Sequence, residues 1–303
     1  MNKPNKMKAI LTLIMTGMIW LGTTYGVLAQ QDPHFTFYRY NMNLINPAYV
    51  GSAEAPELTL GLRSQWAGVE GAPESQSAIF GMLLGKNVGL GVSVLNDKTF
   101  IESQTWVAID FSYHIQLNDK NVLYFGLKGS ANSYDANMQG LVTYGVGQDG
   151  TLMNYESRFT PNIGAGIYLK NERYFLSLSV PKLLSPDRLQ ERNGNAYLGT
   201  DKIHGYLAGG YEFLLSKSTA LQAMGIIRYV EAAPISYEAT ALLDFGMRFS
   251  LGTSYRYDES ISGLFLFNIS HGFDIGYAYE NSLQKPVEGI DNGTHELFMR
   301  LKM

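Results

Sequence analysis

MRFSLGTSYRY, residues Met247 to Tyr257, separates into two unlike faces. Met247, Phe249, Leu251, Thr253, Tyr255 and Tyr257 fall on one side; Arg248, Ser250, Gly252, Ser254 and Arg256 fall on the other. A period of two marks an extended strand, whereas a helix needs its apolar residues three and four apart. The split recurs between Val107 and Ile115, where Val107, Ile109, Phe111, Tyr113 and Ile115 oppose Ala108, Asp110, Ser112 and His114. Phe273, Ile275, Tyr277 and Tyr279 likewise oppose Asp274, Gly276, Ala278 and Glu280. At the end of the chain Leu297, Met299, Leu301 and Met303 alternate with Glu296, Phe298, Arg300 and Lys302.

A soluble sandwich also alternates, so the character of the second face decides between folds. In a sandwich that face meets water and is rich in Lys, Glu and Thr. Here it carries Gly, Ala and Ser with an occasional charge, which suits a crowded barrel interior where charges pair across the lumen. Several apolar stripes end in tyrosine (Tyr113, Tyr211, Tyr229, Tyr257, Tyr279), as expected of strands that cross a headgroup region. Alternation predicts strands at about 57–65, 75–84, 88–97, 102–116, 121–134, 159–170, 173–180, 203–215, 219–230, 236–244, 247–257, 260–269, 272–280 and 295–303. That makes an all-β chain, a transmembrane antiparallel β-barrel of about 14 strands, an even number as in single-chain outer-membrane barrels. Short connections such as Gly85-Lys86-Asn87, Asn118-Asp119-Lys120 and Ser216-Lys217-Ser218 read as hairpin turns. The longer connections, about 135–158, 181–202 and 281–294, belong at the opposite, extracellular end.

Composition agrees. Charged residues make up 17% of the 303, against ~25% in ordinary soluble chains. Beyond the first thirty residues no apolar run approaches the ~20 that a membrane-spanning helix needs. With no cysteine there is no disulfide scaffold, thiolate metal site, cysteine nucleophile or lipoprotein anchor. Lys3, Lys6 and Lys8 precede an apolar run from Ala9 to Leu28 that ends in Val27-Leu28-Ala29, the form of a cleaved signal peptide. The formal net charge of −4, less those three positive charges, becomes −7 for the mature chain, so no basic face invites nucleic acid. The expected organisation is a signal peptide at 1–29, a plug-like periplasmic segment at 30–56 and an outer-membrane barrel at 57–303.

Six segments in order resemble one family: QDPHFTFYRYNMNLINPAYVGS (Gln31 to Ser52), LRSQWAGVEGAPESQ (Leu62 to Gln76), GLGVSVLNDK (Gly89 to Lys98), PNIGAGIYL (Pro161 to Leu169), SLSVPKLL (Ser177 to Leu184) and GTHELFMRLKM (Gly293 to Met303). The chain resembles the PorP/SprF outer-membrane proteins of Bacteroidota, associated with type IX secretion and gliding motility. Members usually end in an aromatic residue, where this chain has Met303. The resemblance implies a barrel of about fourteen strands that binds a secreted surface protein or adhesin through its C-terminal domain, in export or surface anchoring. Other type IX secretion components and outer-membrane lipid are the further partners it implies.

The N-terminal family motif is Asn46, Pro47, Ala48, Tyr49 and Gly51, a turn leading into the barrel within a segment too aromatic to hang free in water. Inward charges are expected to pair as a lumenal network of Arg63, Asp110, Glu212, Arg248, Asp274 and Glu296. Trp66 reads as an interfacial anchor. In the connection 135–158, Tyr144, Met153 and Tyr155 are the candidate partner-binding residues, being more apolar than a loop facing only water requires. None of the five histidines falls in a paired metal-ligand spacing, and no nucleophile elbow, phosphate loop or dinucleotide fingerprint is present. No cofactor and no enzymatic activity are expected. The rival reading is an outer-membrane channel or a FadL-like transporter of hydrophobic compounds, which also has about fourteen strands and an N-terminal Asn-Pro-Ala. An open or a plugged lumen separates the two.

Overall fold

The computed structural model describes residues 32–53, 55–136, 159–185, 202–231, 233–246, 248–284 and 292–303. Among them run fourteen strands: β1 Glu57–Ser64, β2 Glu74–Leu84, β3 Val88–Thr99, β4 Glu102–Asn118, β5 Asn121–Ala136, β6 Phe159–Asn171, β7 Tyr174–Lys182, β8 His204–Leu214, β9 Ala220–Val230, β10 Ser236–Asp244, β11 Phe249–Arg256, β12 Ser260–Ser270, β13 Phe273–Ser282 and β14 Thr294–Lys302. Each expected strand is present, its ends displaced by no more than two residues. Every strand pairs with its sequence neighbours, and β14 returns to β1 in register from Glu57↔Lys302 to Ser64↔His295. The sheet is therefore a closed antiparallel barrel without a free edge, the condition for a β-structure to sit in hydrocarbon.

Outward residues form the apolar band. On β4, Val107, Ile109, Phe111, Tyr113, Ile115 and Leu117 all stand exposed, with Ile109 at 57% and, on β5, Leu127 at 64%. Such side chains in mid-strand have a solvent of their own kind only in lipid. The opposite parity is buried and polar: Ala108, Asp110 and Ser112 on β4 lie within the barrel. Pro181 interrupts the ladder near the end of β7, where the pairing to β8 shifts between Ser179 and Lys182. A proline lacks the N–H that a regular ladder position needs, so it sits at such an irregularity.

The short turns 85–87, 119–120, 172–173, 215–219, 245–248 and 271–272 share one end of the barrel with Glu57 and Lys302. Outer-membrane barrels keep that end periplasmic and place the longer connections outside. Residues 32–53 precede β1 and run inside the lumen, through a one-turn helix α1 (Met42–Ile45) and a 3₁₀ turn (Pro47–Tyr49). They fill the barrel along its length. Asp32 lies beside Lys182 and His204, at the extracellular ends of β7 and β8, whereas the Ser52 carbonyl accepts from Lys170 near the periplasmic end of β6. The segment thus reaches well past the periplasmic mouth.

Phe265, in the middle of β12 and facing out, tests the assignment of faces. Phe265→Arg is expected to cost about 2–4 kcal/mol in denaturant unfolding from lipid vesicles, because a midplane cation faces hydrocarbon. Leu301→Arg, at the rim, should cost about 0–1 kcal/mol by the same depth dependence. Equal costs at the two positions contradict the placement of the band.

Candidate functional site

The plug is held at three levels by three kinds of interaction. At the upper level it is charge. Glu296 of β14, 2% exposed, accepts the backbone N–H groups of Thr36 (2.7 Å) and Phe37 (2.9 Å). Arg63 of β1 reaches the same carboxylate at 3.2 Å and Glu280 of β13 at 3.2 Å. The network continues from Glu280 to Arg256 (3.4 Å) and from Arg256 to Glu238 (2.9 Å). Ions this deep are tolerated only when paired and further hydrogen-bonded, and here the plug backbone supplies two of the bonds. Beside it, Asp32 accepts from Lys182 at 2.8 Å. Burial, reinforced by the Arg228, Arg256 and Arg63 cations, pushes the His34 imidazole well below its ordinary value.

At the middle level the plug packs by apolar side chains, a different one against each wall. Phe35 and Leu44 join Ile79, Leu95 and Trp106. Phe37 joins Leu242, Leu264, Leu266 and Phe298. Tyr38, Met42 and Ala48 join Tyr124, Tyr168, Phe175 and Tyr206. Tyr40 stacks on Phe298 at 4.5 Å between centroids and lies under the Arg300 guanidinium at 4.7 Å. Lys128, salt-bridged to Asp110 at 2.6 Å, also donates to the Asn43 carbonyl at 2.9 Å.

The Asn46-Pro47-Ala48-Tyr49 motif forms the lower level. Asn46 caps the 3₁₀ turn by accepting from the Ala48 N–H at 2.8 Å, and Pro47 fills the first position, where no N–H is needed. The Asn46 amide donates to the Ile167 carbonyl (3.0 Å) and to Ser177 Oγ (2.7 Å), which ties the turn to β6 and β7. Ser179 Oγ donates to the Ile45 carbonyl at 2.7 Å and Ser112 Oγ to the Val50 carbonyl at 2.6 Å. Glycines make the room: a Cβ on Gly126 would run into Ala48 and Pro47, and one on Gly166 into the Asn46 side chain. Gly51 has φ +73°, the left-handed region that favours glycine, with its own Cα side against Gly89.

The six inward charges expected to form one network are divided by the structure. Arg63 and Glu296 meet directly. Asp110 pairs instead with Lys128, and Asp274 with Arg300. Glu212 sits half-buried near the periplasmic rim and accepts from Gln222 at 3.1 Å. Arg248 stands apart from the lumen: the Phe245 N–H donates to the Phe249 carbonyl at 3.1 Å, closing a turn that leaves Arg248 exposed below β11. Lys128, Glu238, Arg256, Glu280 and Arg300 complete these pairs; Arg256, Glu280 and Arg300 lie on the faces that alternation marks as inward, which names no partner for them. Trp66 lies in the connection between β1 and β2 with φ 50°, its backbone N–H donating to Thr294 Oγ1 at 3.3 Å. Tyr144, Met153 and Tyr155 lie outside the described residues.

Two substitutions test the seat. Glu296→Ala leaves Arg63 with one carboxylate and two plug N–H groups with none; it is expected to cost about 3–5 kcal/mol in barrel unfolding, the range for breaking a buried ion pair. Gly166→Val should unseat the plug while sparing the wall, read as new protease cleavage within residues 32–53 and as raised single-channel conductance in planar bilayers. Wild-type conductance and protection in that variant would count against the glycine seat.

The chain is similar in fold to the CymD monoaromatic hydrocarbon channel, with a TM-score of 0.52 and 13% identity over 86% of this chain and 92% of that one. It is also similar to the Ralstonia pickettii toluene transporter TbuX, with a TM-score of 0.51 and 11% identity over 85% and 92%. At such identities the likeness concerns the barrel alone. No curated protein matches the sequence. The model of the type IX secretion system membrane protein PorP/SprF matches residues 27–301. With nearly the whole chain covered, barrel and plug together, this outer-membrane β-barrel belongs to the PorP/SprF family of type IX secretion system membrane proteins.

Proposed function

We propose that the barrel is a closed, non-catalytic anchor in the outer membrane, at which an exported surface protein is held through its C-terminal domain. Family membership supplies the secretion system. The observation that carries the closed-anchor reading is the filled lumen: residues 32–53 meet the walls at three levels, from Asp32 beside Lys182 to Ser52 beside Lys170. Passage of a solute through this lumen requires displacing a segment that shares the buried Arg63–Glu296 pair. A protein partner makes no such demand, because it needs only the extracellular connections.

Cleavage of the leader after Ala29 is part of the same proposal. Asp32 is bound at the extracellular ends of β7 and β8. A retained apolar run from Ala9 to Leu28 would hold Asp32 back at the inner membrane.

Replacing residues 138–153 with a short Gly/Ser linker tests the anchor. The barrel should still fold, since connections tolerate shortening better than strands do. Surface retention of the partner, measured by protease shaving or fluorescence on intact cells, should fall to background. Undiminished retention moves the docking site away from this connection.

A further inference from the structure

Arg39 is the anomaly of the plug. Its guanidinium lies 4.7 Å from the centre of the Phe175 ring and 5.2 Å from that of Tyr49, in the periplasmic half of the lumen. Among the described residues no carboxylate pairs with it, whereas Arg63, Arg256 and Arg300 each hold at least one. Aromatic faces attract a guanidinium, but they leave its net charge unneutralised. Arg39 is half-buried, and a cation partly withdrawn from water without a counter-charge favours an anionic partner.

Arg228 also has no paired carboxylate among the described residues, and the space beside the two separates them. The cavity that Arg228 lines holds ≈ 30 Å³, room for a water molecule. The one that Arg39 lines holds ≈ 200 Å³ and opens at the periplasmic mouth between the plug and β6 to β9. Lys170 and Arg173 line it too; Lys170 donates to the Ser52 carbonyl at 2.7 Å, and among the described residues no carboxylate is ion-paired with it. Glu172 and Glu212 line it as well, Glu212 accepting from Gln222 at 3.1 Å; three cations against two carboxylates leave the lining with a net positive charge. Phe175 and Met224 supply apolar walls.

We infer that this mouth is a binding pocket for a peptide carboxylate, an acidic side chain or a chain terminus, presented from the periplasm to Arg39 with Lys170 and Arg173 around it. Its volume lies below the ~300–1,000 Å³ of sites that take drug-sized ligands, so one side chain or end group is what it admits. A guanidinium takes a carboxylate in a planar two-point contact, and Arg39 meets no such group among the described residues. A lipid phosphate is the less favoured source, because the strand wall stands between Arg39 and the lipid face: Phe175 is 7% exposed, whereas Leu176, next to it, faces outward at 52%. The inference stands apart from the extracellular docking proposed above and does not depend on it.

The test uses the mature full-length barrel in detergent micelles. The probe is a fluorescein-labelled peptide of alternating glutamate and phenylalanine, with glutamine in place of glutamate as its neutral control. The acidic peptide should bind at least ~10-fold more tightly than the control and weaken with salt, as charge-assisted pairing requires. Arg39→Gln should cost about 10-fold in affinity, and Arg173→Gln, an exposed residue, about 2–3-fold. Should Arg39→Gln lose heat-modifiability, Lys170→Gln carries the test, with a several-fold loss expected. Equal binding of the two peptides, or wild-type affinity in the folded Arg39 or Lys170 variant, overturns the pocket. Displacement of the peptide by dihexanoyl-phosphatidylglycerol at concentrations where dihexanoyl-phosphatidylcholine has no effect also overturns it, assigning the site to lipid.

Discussion

One carboxylate joins the inside of this protein to its wall. Glu296 accepts two successive backbone N–H groups of the plug, from Thr36 and Phe37, and the guanidinium of Arg63. The wall cannot keep these ions inside a barrel without partners, and the plug cannot bury its backbone there without acceptors. Each satisfies the other. Because β14 closes onto β1, the Arg63–Glu296 pair also bridges the seam between the first and last strands, which pair at those same residues. Closure of the sheet and seating of the plug are thus coupled through one group.

Below this level the fit depends on shape. Strands of a closed barrel normally point a side chain inward at every second residue, which leaves little room for a second piece of chain. Gly126 and Gly166 remove that side chain where the turn at Pro47–Tyr49 comes closest. Asn46 then spends both ends of its amide, one on its own turn and one on β6 and β7. The family motif is therefore half of a contact whose other half lies about 80 to 130 residues away in the strands.

A fold shared with hydrocarbon channels does not by itself transmit their activity, because the same barrel carries different work according to what fills it and what its connections display. Here membership of the secretion family and a lumen packed from one end to the other point the same way. Arg39 qualifies the picture at the periplasmic end, where the packing leaves a cation facing open space.

The sequence alone determined the architecture. Alternation with a period of two located all fourteen strands, and the Gly, Ala and Ser of the second face distinguished a lumen from a water-facing sheet. Parity told inward from outward because successive side chains on a strand point to opposite faces, whatever the strand pairs with. The same rule erred at Arg248, where the hydrogen bond that closes the turn at Phe245 ends β11 before the pattern does. What parity leaves open is which inward group meets which. Asp110 took Lys128 from the adjacent strand, and Asp274 took Arg300. Glu296 found its partners across the seam and on the plug, 260 residues away at Thr36. Only the tertiary structure decided these, because pairing in a closed barrel depends on the stagger of its strands and on what crosses the lumen. Neither leaves a local trace in the chain.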